Sequence, residues 1–72
     1  MAYNTWYSVN DSLEMYDTGT GWEYSLRKHS VTGKYYVIER RKSGNMETRR
    51  SGECRTRATA KILAMQWAMA RL

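Results

Sequence analysis

The chain has 72 residues, 42% hydrophobic and 26% charged, with a formal net charge of +5. At this length one domain is expected, burying about 60% of the surface its unfolded chain exposes, so a two-domain enzyme with an interdomain cleft is excluded, and the ordinary apolar fraction argues against disorder. No apolar run approaches the roughly 18 residues of a membrane span, the start Met1-Ala2-Tyr3-Asn4-Thr5-Trp6 lacks the basic and apolar regions of an export signal, and Cys54 with His29 alone makes neither an internal disulfide nor a zinc site.

The expectation is therefore a cytoplasmic protein with no metal or cofactor. Charge is distributed unevenly. Residues 1–24 hold Asp11, Glu14, Asp17 and Glu23 and no Lys or Arg, whereas residues 25–72 hold all twelve Lys and Arg against Glu39, Glu47 and Glu53. Clustered cations release condensed counterions from a phosphate backbone, so this asymmetry points to a polyanionic partner.

Residues 1–21 read as an acidic, aromatic N-terminal segment, in which Asn10 or Asp11 caps a brief helical turn through Leu13-Glu14-Met15-Tyr16. Thr18-Gly19-Thr20-Gly21 reads as a linker to a domain over residues 22–72. There Trp22-Glu23-Tyr24-Ser25-Leu26-Arg27 alternates with period two, the mark of a half-buried strand. A tight turn over His29–Lys34 leads into Tyr35–Lys42, rich in aromatic and β-branched residues and expected to be the central strand. Ser43-Gly44-Asn45 is a hairpin loop, and Met46–Ser51 a third strand ending at Gly52. Thr56 is a good N-cap for a helix from Ala58 to Leu72, which contains no breaker. Its stripe Ala60, Leu63, Ala64, Trp67 suits a sheet. A second stripe, Ile62, Met65, Met69, Leu72, must also be buried, by the N-terminal segment or by a partner such as a second copy. The expected fold is α+β: a three-stranded antiparallel meander packed against one C-terminal α-helix, with a short N-terminal segment.

The inventory for catalysis is thin. His29 and Cys54 fall at opposite ends of the meander, and the N-terminal carboxylates form no matched pair, so an enzyme is not expected. The basic residues do fall on a pattern. If the helix covers the face of the central strand carrying Tyr35 and Val37, the open face presents Lys34, Tyr36, Arg40 and Lys42, joined by Arg27 and Arg49 from the flanking strands. Such a surface can lie in a groove of double-stranded DNA, with Arg reaching base edges and Lys reaching phosphates.

Tyr24-Ser25-Leu26-Arg27-Lys28, Gly33-Lys34-Tyr35-Tyr36-Val37 and Gly52-Glu53-Cys54-Arg55-Thr56 followed by Ala60 resemble a known DNA-binding domain of three strands and a helix. It is shared by the amino-terminal arm-binding modules of tyrosine recombinases (phage and transposon integrases) and plant ethylene-response transcription factors. Cys54 stands where that family has a large aromatic. The resemblance implies insertion of the sheet into the major groove, with strand arginines and the aromatic after Gly33-Lys34 touching DNA, as in a small phage or mobile-element accessory factor. No recombinase catalytic domain follows, so a binding role alone carries over. Thr56-Arg57-Ala58-Thr59-Ala60-Lys61 is also similar to the last helix of double-stranded-RNA-binding domains, which implies phosphate contacts for Arg57 and Lys61. A reading of another class is a small inhibitor or adaptor that docks on a host enzyme through Trp6, Tyr7, Met69 and the second helix stripe.

Overall fold

Pairing of alternating strands accounts for most of the chain. In the computed structural model, which describes residues 6–72, the order is β1 (Tyr7–Asn10), β2 (Leu13–Asp17), β3 (Trp22–Lys28), β4 (Tyr35–Arg41), β5 (Met46–Arg50) and α1 (Arg57–Ala70). The expected three-stranded meander is corrected to a five-stranded one: a single sheet ordered β1-β2-β3-β4-β5 with all neighbours antiparallel. The stretch ahead of Trp22 supplies two of those strands.

The expected helical turn over Leu13–Tyr16 is strand instead, because its side chains alternate into two different environments. Tyr16 points to the helix side, with ring centroids 5.3 Å from Trp6 and 6.1 Å from Tyr24, while Met15 is buried on the other side. Asn10 caps no helix. Its Oδ1 accepts the Ser12 N–H at 2.8 Å and tightens the turn between β1 and β2. Thr18–Gly21 forms the β2–β3 hairpin turn, with Gly19 and Gly21 at φ 78° and 96°, a region where a Cβ is strained. Asp17 Oδ1 holds the turn by accepting the Gly19 N–H at 2.8 Å.

Helix α1 begins where expected: Thr56 is extended and its side chain accepts the Thr59 N–H. It lies across β3 and β4 on a row of alanines, Ala60, Ala64 and Ala68, all buried. These small side chains let the helix backbone approach the sheet's part of the core, Tyr16, Tyr24, Leu26 and Val37, and burying Leu26 and Val37 contributes about 1.5–3 kcal/mol each. Trp22, Trp67, Tyr35 and Cys54 are half-buried around this core. Of the second helix stripe, Met65 is half-buried against the core, whereas Ile62, Met69 and Leu72 remain 61%, 68% and 89% exposed among the described residues, since the N-terminal strands extend the sheet edgewise.

One charge is fully enclosed. Glu39, 0% exposed on the helix side of β4, accepts hydrogen bonds from Tyr24 Oη at 2.7 Å, Thr48 Oγ1 at 2.8 Å and Arg71 at 2.9 and 3.3 Å. Burial pushes its carboxyl up, but the donors Arg71, Tyr24 and Thr48 outweigh burial and hold it below the ordinary carboxylate range. Arg71 is the C-cap of α1, so this network pins the end of the helix to the sheet.

Candidate nucleic-acid interface

Paired residues of an antiparallel sheet point to the same side, so the register sorts every strand side chain onto one of two faces. The helix side carries Tyr16, Tyr24, Glu39 and Arg49 in one row and Glu14, Leu26 and Val37 in the next. The open side carries three rows. The middle one runs Tyr7, Met15, Ser25, Ile38, Arg50. On one flank lies Leu13, Arg27, Tyr36, and on the other Asp17, Glu23, Arg40, Glu47. The helix does cover the Tyr35 and Val37 face of β4, and Tyr36 and Arg40 lie on the open one.

The seven expected contact residues are not gathered in one patch. Arg49 is on the helix side, its guanidinium 4.7 Å from the centroid of Trp67, which corrects its expected place on the open face. A four-residue turn over 42–45 and a β-bulge that leaves Thr48 unpaired put Arg49 opposite Glu39 and turn Arg50 outward opposite Ile38. Arg57, at the first turn of α1, donates to Glu14 Oε2 and to the Asp11 carbonyl, both at 3.0 Å, and Lys61 reaches the same Glu14 at 2.8 Å. Arg57 thus ties the β1–β2 turn to the helix, with its charge shared with Glu14. Arg40 is paired with Glu23, and Lys42 with Asp17. The Lys42 ammonium, together with the Gly19 N–H, holds the Asp17 carboxyl below its usual range, and Asp17 in turn raises Lys42. The two ion pairs cancel on that flank of the open face, and Glu47 adds a further carboxylate.

The other flank is different. Among the described residues, Arg27 and Lys34 have no carboxylate at ion-pair distance, and Arg50 meets Glu47 only at 3.8 Å. Arg50 lies 5.5 Å from the Tyr36 ring centroid, and the His29 ring meets the same tyrosine edge-on at 6.5 Å. Tyr36 is the shared wall of two open hollows. One, about 460 Å³, is bounded by His29, Thr32, Tyr36, Arg50 and Glu53; the other, about 280 Å³, lies between Asn10, Leu13, Arg27 and Tyr36.

The turn beside them is well tied. Gly33 sits at φ 71°, the Lys34 carbonyl accepts the His29 N–H at 2.7 Å, and the Thr32 hydroxyl accepts the Lys34 N–H at 3.2 Å while donating to Glu53 Oε2 at 2.8 Å. Nothing in the sequence pattern marks Arg50, His29 or Glu53 as neighbours of Tyr36. The alternation of Met46–Arg50 alone does not reveal the bulge that turns Arg50 outward. No helix among the described residues is long and apolar enough to cross a membrane. No family model, no curated protein and no solved structure matches this chain.

Proposed function

We propose that this protein binds nucleic acid, double-stranded DNA in the first place, through one end of the open sheet face: Arg27, Tyr36 and Arg50, with Lys34 exposed at the rim. The observation that carries the proposal is the placement of Tyr36 between two arginines on the side that the helix leaves free, with no close carboxylate for Arg27. Contact by the whole face is disfavoured, because Asp17, Glu23 and Glu47 share the opposite flank and would face phosphates. The cations of Arg40 and Lys42 are spent on two of those acids.

Three or four neutralised phosphates give a salt slope of about −3 on duplex DNA. Fluorescence anisotropy with a short duplex at two salt concentrations tests this. Arg27→Ala and Arg50→Ala should each weaken binding and reduce the slope by about 1, whereas Arg57→Ala and Arg49→Ala should leave both unchanged. Unaltered binding in the first two variants would remove this surface from consideration.

A protein partner is a second reading, favoured by the stripe of Ile62, Met69 and Leu72 on α1, where large apolar side chains stand in solvent. A partner seated there would be captured with little response to salt, and Met69→Glu would abolish capture without touching DNA binding.

A further inference from the structure

The larger hollow beside Tyr36 contains a group that a phosphate site would not want. Glu53 is a carboxylate on its wall, and it is held in place: Thr32 Oγ1 donates to its Oε2 at 2.8 Å, and the same hydroxyl is fixed by the Lys34 N–H at 3.2 Å. The Oε1 atom carries no hydrogen bond among the described residues. Around it are an aromatic face, Tyr36; a guanidinium, Arg50, at 5.5 Å from that ring; and His29, whose Nδ1 accepts the N–H groups of Val31 and Thr32 at 3.2 and 3.4 Å and so leaves Nε2 to donate. One oriented acceptor beside two donors and a stacking surface does not fit a polyanionic backbone. It fits a planar heterocycle that offers an amino group next to an acceptor nitrogen.

Resting on the nucleic-acid reading above, we infer that this hollow takes an unstacked cytosine or adenine, so that the preferred ligand is nucleic acid with an unpaired nucleotide. The exocyclic amino group donates to Glu53, the neighbouring ring nitrogen accepts from Arg50 or His29, and the ring stacks on Tyr36. Thymine is disfavoured, because its one ring donor is flanked by carbonyl oxygens that would face the carboxylate. A volume of about 460 Å³ is ample for one base, and the second hollow, which shares the Tyr36 wall, is lined by Arg27 and Lys28, cations that can meet an adjoining phosphate. The paired bases of an intact duplex keep their Watson–Crick edges occupied, so admission of a base requires its release from the stack, and this is easiest at a bulge or strand end.

The test is anisotropy with three probes of one sequence: a fully paired DNA duplex, the duplex with a single bulged cytosine, and the duplex with a single bulged thymine. The bulged-cytosine probe should bind about tenfold more tightly than the other two. Glu53→Gln should abolish the difference between cytosine and thymine while leaving affinity for the paired duplex intact. Glu53 and Thr32 are both exposed, so this variant leaves the core untouched. Equal affinity for all three probes, or a cytosine preference that survives Glu53→Gln, overturns the inference while the duplex-binding proposal stands. Failure to bind any probe overturns both.

Discussion

The two sides of the sheet use arginine in different ways. On the helix side Arg71 lies 4.1 Å from the Trp22 ring centroid and bonds to Glu39, Arg49 lies over Trp67, and Arg57 joins Glu14 to the start of the helix. These side chains cover the aromatic rim of a small core with their stems and satisfy buried or half-buried carboxylates with their heads. On the open side Arg27 and Arg50 stand beside Tyr36 with at most a loose ionic contact, and the ion-paired flank of Arg40 and Lys42 lies further along the same face. A high content of arginine therefore says little about binding until each guanidinium is assigned to a partner. In a domain of this size, several are needed simply to hold the layers together.

Substitutions can break that contrast. The largest effect is expected at Glu39. Glu39→Ala leaves the buried Tyr24 hydroxyl without its acceptor and releases the exposed Thr48 and Arg71 from the sheet, and should cost about 3 kcal/mol in denaturant unfolding, with DNA affinity of the folded fraction preserved. The same group sets an acid limit. Its carboxyl is depressed in the folded state, so its contribution to stability is complete above its unfolded value of about 4.3 and is lost as pH falls through that value toward the folded one. Glu39→Gln should therefore flatten the acid limb of the stability profile below about pH 4.

Next is Ala64, fully buried where the helix meets the sheet. Ala64→Leu overfills that contact and should cost about 1–3 kcal/mol, read as a lowered unfolding midpoint with an unchanged denaturant slope. The smallest effect is expected at Arg57, which is half-exposed. Arg57→Ala should leave global stability nearly unchanged, yet speed amide hydrogen exchange in β1 and β2, whose turn it anchors. Slower DNA binding in Arg57→Ala would move that residue from the helix-side group to the open one and blur the contrast.

Some of this architecture was legible in the chain. Period-two alternation marks β3, aromatic and β-branched residues mark β4, and Thr56 ahead of an unbroken run rich in Ala, Leu and Met marks α1. The covered face of β4 is less legible, because Tyr36 and Ile38 alternate with Tyr35 and Val37; only the argument that Glu39 is repelled by phosphates favours covering the Tyr35 and Val37 side, which the helix does cover. The first two strands were misread because Leu13-Glu14-Met15-Tyr16 is short and has neither a β-branched residue nor a strict polar partner set. Its strand character comes from pairing with β3 and from the fit of Tyr16 between Trp6 and Tyr24, neither of which is local.

The same reason separates what the amino-acid order determined from what only folding decided. Local propensity and alternation operate over a few residues, so they set the helix, the β3–β4 hairpin and the excess of positive charge after residue 24. Ion pairing and strand register join residues that lie far apart in the chain: Lys42 with Asp17, Arg57 with Glu14, Arg71 with Glu39, Arg50 with the face of Ile38. Which cations are neutralised, and hence which end of the sheet stays positive, depends on distances that exist only once the five strands are laid side by side, because Coulomb energy and hydrogen bonding fall off over a few ångströms of space rather than along the chain.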